Sequence, residues 1–281
     1  MPTENTQPMT RHEEPAPSFT CRICGSSSLT LFFTQGNDGE FHFYRCRNCK
    51  LVNYDLSGGL DQGKYEQKYE DPLDDSNRFN HPQTATFKFL NAHLPPQGKL
   101  LEIGCGNGRL LHLSHQAGWS VSGLELSSFM AQSVTERLNL PVLVSNIDAP
   151  DLADRLTEKP YDLILLRHVL EHLPEPLSVM KLLHSLLADR GHVLMEFPNI
   201  DGVDLKFKRL TRKLGLSHKK YPPDYHPGHC NEYCREAYQA LIDRTGFELI
   251  AWETYSMKPT QNLLFNRWHI GNKARALIRK K

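Results

Sequence analysis

Two sets of residues have types and spacing that could do chemistry. Cys21 and Cys24 in "CRICG", with Cys46 and Cys49 in "CRNCK", form two C-x-x-C pairs with 21 residues between them. Four soft thiolates presented by two turns make a tetrahedral zinc site, with rubredoxin-like iron or a labile redox pair as alternatives. No open position or further ligand accompanies them, so the site reads as structural. A segment this small lacks a core of its own and takes folding energy from its metal. The second set is "LLEIGCGNGRL", where Glu102 precedes Gly104, Gly106 and Gly108. A dinucleotide turn wants G-x-G-x-x-G, but here the third glycine comes one position early and Arg109 follows it. A P-loop fails too, because no Lys-Ser/Thr pair follows. A tight strand-to-helix turn without a ligand is the bland reading.

The E-x-G-x-G-x-G pattern resembles the first motif of class I S-adenosylmethionine-dependent methyltransferases. The physical chemistry agrees with that resemblance. Glycines let the backbone approach a bulky ligand, and the N–H groups of the helix that follows suit a carboxylate. Glu102 would supply negative charge near an ammonium or sulfonium, while Cys105 fills a position inside the motif where a small side chain is required. By the resemblance, Glu125 at the end of "WSVSGLEL" binds the ribose diol and Leu126 lies beside the adenine. Asn146, Ile147 and Asp148 end the next strand, and Asp148 takes the adenine amino group. A solvent-facing strand end for Glu125 and a helix cap for Asp148 are the alternatives. "YDLILLRHVLEHLPEP" resembles the block of the branch that holds ubiquinone-biosynthesis O-methyltransferases and many sugar enzymes. It places Arg167 and His168 behind the cofactor, S-adenosylmethionine. Glu171 and His172 open the next loop, either to orient substrate or take a proton or to brace the strand. The resemblance covers roughly residues 85–255.

These residues need elements to hold them. "KLLEIG", "WSVSGLEL", "PVLVSN", "YDLILLRHV" and "GHVLMEF" are apolar runs alternating with helical patterns. That alternation argues for an α/β, Rossmann-like sheet, parallel and covered by helices on both faces, beside the small zinc ribbon. The expected organisation is a disordered tail over 1–18, the ribbon over 19–54, and a linker with a leading helix over 55–98. A methyltransferase domain over 99–260 follows, with a basic insertion at 201–229, and then a basic helix or fraying tail over 261–281. Within the ribbon, Asn37-Asp38-Gly39 marks a hairpin bend. Its cations and aromatics offer a nucleic-acid surface, although alternate aromatics in a small hairpin are more often core. The module also resembles the N-terminal zinc module of deoxysugar C-methyltransferases, where it covers part of the substrate cleft.

The acceptor side falls in the insertion. Lys206, Arg209 and Arg212 belong to a basic run that is either a solvated helix face or an anion-binding flap. As a flap it would suit a phosphorylated acceptor, a nucleotide sugar, an anionic lipid carrier or RNA. In "YHPGHCNEY" the resemblance points to His226, His229 and Glu232, with His229 as base and Glu232 or Tyr225 as its orienter. A structural or capping role is the alternative. His226, His229, Cys230 and Cys234 lack regular metal spacing, and the carboxylate cluster of metal-dependent catechol enzymes is not evident. The chain lacks Asn/Asp-Pro-Pro-Tyr after the fourth strand, which disfavours base-amine methylation. Hydroxyl methylation of a sugar, nucleotide sugar or glycan precursor leads. An RNA methyltransferase, or a binding module on a degenerate fold, is the alternative. The formal net charge of +1 gives no global reason for a polyanionic partner. No long apolar stretch suggests a membrane span, and the cysteine usage suggests a reducing compartment, the cytoplasm.

Overall fold

The computed structural model describes residues 17–61, 71–76, 80–256, 265 and 267–281. The expected tail, through position 16, lies outside them. The N-terminal module is a hairpin of β1 (Leu29–Gln35) and β2 (Phe41–Cys46), with β3 (Val52–Tyr54) paired antiparallel to β2. Its alternate aromatics are core. Phe43 is buried between the rings of Phe33, at 4.4 Å, and Tyr54, at 4.9 Å. Arg22 and Arg45 are committed to docking rather than presented to a nucleic acid. Arg22 donates to the carbonyls of Tyr54 and Cys230, and Arg45 forms a bidentate pair with Asp201.

The main domain begins with α1 (His81–His93) and then alternates as expected. The elements are β4 (Lys99–Ile103), α2 (Arg109–Ala117), β5 (Ser120–Glu125), α3 (Ser128–Leu138), β6 (Val142–Val144) and the short α4 (Leu152–Arg155). They continue with β7 (Tyr161–Arg167), α5 (Pro176–Leu186), β8 (Leu187–Pro198), α6 (Val203–Lys213) and β9 (Asn231–Glu232). The last are α7 (Arg235–Asp243), β10 (Phe247–Tyr255) and β11 (Lys273–Lys280). The large sheet has the order β10-β11-β8-β7-β4-β5-β6. Strands β4 to β8 run parallel, and β11 is antiparallel to both of its neighbours. Leu163 to Leu166 are all buried, as a central strand covered on both faces requires.

Two features depart from the expectation. The sheet is mixed rather than purely parallel, and Lys273–Lys280 of the C-terminal segment form a strand, not a helix or a fraying tail. In "KARALIRK" the residues Ala274, Ala276 and Ile278 alternate into one core, while Arg275 and Leu277 face the other side. The cations that hid this period-2 pattern are answered by neighbouring strands. Arg275 pairs with Glu253, Arg279 pairs with Glu248, and Lys280 donates to the Leu187 carbonyl. The main domain therefore runs past 260 and includes β11. The small sheet is extended as well, because β9 pairs with β3 to give the order β1-β2-β3-β9. Ribbon residues Ile23, Phe43 and Leu51 share one apolar cluster with Ile164, Met180 and Tyr238 of the main domain.

Beneath the carboxyl end of β7, Glu196 is fully buried between two guanidiniums. Arg167 Nε lies 2.5 Å and Arg275 Nη2 3.5 Å from its oxygens, and Thr86 donates at 2.7 Å. Burial alone would raise this carboxyl, but Arg167, Arg275 and His168 outweigh it and hold the group down to about 2. Glu196→Ala leaves two buried cations facing each other. We expect a loss of about 3–5 kcal/mol, read as a fall in Tm on the order of 10 °C. The folded value lies below the ordinary 4.5, so this contribution is complete above that pH and is lost as pH falls towards 2. Acid titration of the variant should lack that step; an unchanged acid profile would remove Glu196 from the account.

Candidate active site

A cavity of about 430 Å³ opens at the carboxyl ends of β4, β5, β6 and β7. This is where the strand order reverses in an open α/β sheet and where ligands bind. The glycine turn forms one wall. Gly106 has φ +53°, and a side chain added there would point into open space, so backbone alone borders the cavity. Gly104 also lines the cavity, and an added Cβ there would come within 2.6 Å of Val169 on the opposite wall. Glu125 ties the turn down: its carboxylate accepts from the amide of Gly106 at 2.9 Å and from those of Leu126 and Ser127 at 2.9 and 3.0 Å. Leu126, Asn146, Ile147 and Asp148 continue the lining on one side, and Arg167 and His168 close it on the other.

Behind one wall of the cavity lies a cluster of histidines and acids. His172 lines the cavity, and its Nδ1 donates to the Gly228 carbonyl at 2.7 Å. The ring of His229 stands edge-on to it at 4.8 Å, with Nδ1 donating to Glu232 Oε1 at 2.9 Å. Burial pulls His229 down, but the bond to Glu232 and the charges of Glu232 and Glu171 lift it above its ordinary value. Glu171 is buried and its Oε1 accepts a hydrogen bond from His168 Nδ1 at 3.1 Å; the other nitrogen of His168 accepts from Lys273 Nζ at 2.9 Å. His168 holds this bridging position with φ +54°, which non-glycine residues seldom adopt.

The loop carrying His229 is pinned from both sides. The Cys230 amide donates to the Glu171 carbonyl at 2.8 Å, and Asn231 Nδ2 donates to the Leu173 carbonyl at 2.8 Å. On the other side, β9 is an edge strand of the ribbon, with Glu232 opposite Val52.

The four ribbon cysteines converge. Their sulfurs all lie within 4.8 Å of one another, with Cys21 to Cys49 at 3.3 Å and Cys24 to Cys46 at 3.5 Å. A tetrahedral zinc–thiolate site has sulfur–sulfur edges of about 3.8 Å. The two turns match: Gly25 and Lys50, each following the second cysteine of its pair, both have φ near +68°, at 69° and 68°. Backbone amides of Ile23 and Cys24 serve Cys21, that of Ser26 serves Cys24 and that of Leu51 serves Cys49, an arrangement suited to thiolates. The donor set and spacing fit a closed metal site.

A model of the methyltransferase-domain family matches residues 45–251. The chain belongs to that family. Among curated proteins, this methyltransferase-family chain is 32% identical over 104 residues to a ubiquinone biosynthesis O-methyltransferase of Pseudomonas aeruginosa, covering 36% of the chain and 44% of the relative. The corresponding Methylococcus capsulatus protein is 27% identical over 141 residues, covering 49% and 59%. The chain thus spans about half the length of the curated relatives it matches. Solved structures share the fold. A Pyrococcus horikoshii protein aligns with TM-score 0.54 at 17% identity, over 76% of this chain and 95% of that one. Magnesium protoporphyrin IX methyltransferase of Synechocystis, with bound SAH, aligns at 0.50 and 18%, over 73% and 84%.

In this methyltransferase fold the residues expected at the cofactor site divide. Gly104, Gly106, Glu125, Leu126, Asn146 to Asp148, Arg167 and His168 line the cavity. Glu102, Cys105 and Gly108 do not. Glu102 is buried under the turn, where it takes the Leu111 amide; burial, and the charge of Glu125, push it up to about 8 despite Arg167. The Cys105 thiol points into the core beside Gly123, and burial raises it well above its ordinary value. Gly108 caps α2 and abuts Val134.

The expected acceptor residues also separate. His172, His229 and Glu232 meet. Tyr225, however, is no orienter of His229, because its hydroxyl bonds Gln35 and its ring packs on Phe41 and Tyr221. His226 lies against Phe41 at 5.4 Å, on an exposed edge. Lys206 and Arg212 are exposed on α6, while Arg209 stacks over Phe32 at 4.9 Å and donates to the Ile200 carbonyl. None of these five lines the cavity, so the basic segment packs against the ribbon instead of covering the site. Cys234 sits beside Arg45, away from His229. Lys273 and Glu196 went unnoticed in the sequence because nothing in a charged C-terminal run or an apolar strand signals a neighbour across the sheet.

Proposed function

We propose that this chain transfers a methyl group from S-adenosylmethionine to a hydroxyl of a small-molecule acceptor, with a sugar or glycan-precursor hydroxyl as the leading class. One observation carries the reading: a single cavity is lined by a glycine turn braced by Glu125 and, elsewhere on its wall, by His172, behind which His229 and Glu232 are paired. The O-methyltransferase names of the curated relatives support an oxygen acceptor. A pole of imidazoles and carboxylates suits a hydroxyl-rich molecule. The basic segment lies off the cavity, so phosphate on the acceptor and RNA lose their main support.

Glu125 and Asp148 would hold the ribose and adenine, and Leu126 and Ile147 the faces of the base. S-adenosylmethionine supplies an electrophilic methyl carbon on a sulfonium. At the acceptor pole, Glu232 keeps the His229 proton on Nδ1, which leaves Nε2 to receive the acceptor hydroxyl proton. With S-adenosylmethionine bound, the deprotonated oxygen would take the methyl carbon as the carbon–sulfur pair leaves on sulfur. Arg167 lines the same cavity, and Lys273 stands behind it on His168, so both offset negative charge nearby. We further propose that Cys21, Cys24, Cys46 and Cys49 hold one structural zinc. The ribbon over 19–54 is then a metal-held module packed on the main domain that supports the acceptor wall through β9.

Titration with S-adenosylhomocysteine tests the cofactor assignment. Glu125→Ala should weaken binding about 10- to 100-fold, since charge-assisted hydrogen bonds are lost and the Gly106 amide is released. Equal affinity in wild type and variant would sink the ribose assignment.

A further inference from the structure

We propose that Glu171, His172 and His229 form a site for one first-row divalent cation beside the cavity, which His172 lines. Each offers one ligand atom, and the three atoms lie within 4.8 Å of one another. Nitrogen and oxygen ligands at about 2.0–2.2 Å from an ion are separated by about 3.0–3.5 Å, so a small inward adjustment completes the site.

The hydrogen bonds around the cluster orient it for a metal. His172 Nδ1 faces the Gly228 carbonyl at 2.7 Å, and His229 Nδ1 faces Glu232 Oε1 at 2.9 Å. A carbonyl and a carboxylate only accept, so both rings carry their proton on Nδ1 and their lone pair on Nε2. This is the arrangement in which outer partners fix a ligating histidine. The third ligand supplies an independent observation. Glu171 is 1% exposed, and while its Oε1 bonds His168, its Oε2 is buried without a hydrogen-bond partner among the described residues. A buried carboxylate oxygen lacking a donor is stabilised by a cation. Two imidazoles and one carboxylate also leave coordination positions open. Because His172 lines the cavity, those positions border the space for an acceptor oxygen.

The role of the ion rests on the proposed methyl transfer; its binding does not. A hydroxyl bound to the cation would become more acidic and lose its proton to bulk water, and its oxygen would then bond the methyl carbon as the carbon–sulfur bond breaks with its pair going to sulfur. In the loaded enzyme His229 is therefore a ligand, and the ion replaces the imidazole as the activating group.

The test is titration of the full chain, loaded with one equivalent of zinc, with Mn²⁺ followed by electron paramagnetic resonance. Mn²⁺ prefers oxygen and nitrogen ligands and leaves the thiolates to zinc. Wild type should bind one Mn²⁺, and Glu171→Gln and His229→Ala should each weaken it at least about tenfold. Glu171→Gln preserves side-chain volume, and the His229 side chain is 32% exposed, so its truncation opens no core cavity. S-adenosylhomocysteine calorimetry on the same samples reports folding and tests the transfer reading separately. Wild type that binds the product analogue but no Mn²⁺ overturns the cation site alone. Mn²⁺ held equally by both variants places the ion elsewhere and also overturns it. Mn²⁺ binding that depends on both residues, without product binding, supports the site and counts against the transfer reading.

Discussion

Cys46→Ser is expected to remove turnover while S-adenosylhomocysteine still binds. Structural zinc contributes on the order of 10 kcal/mol of apparent folding energy to small modules, and one lost thiolate breaks a closed four-ligand site. The consequence reaches beyond the ribbon because β9 is a strand of its sheet, with Glu232 opposite Val52 and Asn231 opposite Asn53. Arg22, beside Cys21, also holds the Cys230 carbonyl at 3.0 Å. Once β3 is released, Glu232 and His229 lose the edge that positions them. The glycine turn and Glu125 belong to β4 and β5, which pair with each other and not with the ribbon. Metal analysis should fall below one zinc per chain, and an early thermal transition should precede the main one. Full turnover with zinc absent would mean that the ribbon neither needs the metal nor supports the acceptor wall.

His229→Ala should lower turnover by about 10²- to 10⁴-fold with product affinity unchanged. His229 stands edge-on to His172, which lines the cavity, and is not itself a cavity-lining residue. The expectation holds whether the ring takes the proton itself or holds a cation that acidifies the hydroxyl. Single-turnover rates and product calorimetry on the same variant separate the two effects. A matched loss of affinity and rate would move His229 out of the acceptor pole and into the support of the whole cavity. Both substitutions act at the same wall: Cys46→Ser through the sheet that carries β9, His229→Ala on the loop that leads into it.

The sequence by itself determined what depends on neighbouring residues. The glycine turn is local: three glycines and the strand before them specify positive φ angles and a close backbone approach within a few residues. The ribbon turns are equally local, since C-x-x-C followed by Gly25 or Lys50 bends each pair towards one metal position. Glu125 and Asp148 could be read because the ends of parallel strands meet at one edge of such a sheet. The tertiary structure decided everything that depends on which distant segments meet. The period-2 pattern of β11 was masked by cations whose partners, Glu248 and Glu253, lie on another strand. Glu102 belongs to the motif, yet it points beneath the turn because Leu111 of the following helix offers it an amide there. The two-residue β9 has no periodicity to detect; it exists because β3 supplies an edge. The Glu171–His172–His229 cluster likewise has no spacing to read, because one loop follows β7 and the other precedes α7. Hydrogen bonds across that gap, from the Cys230 amide to Glu171 and from His172 to Gly228, bring the ligands together.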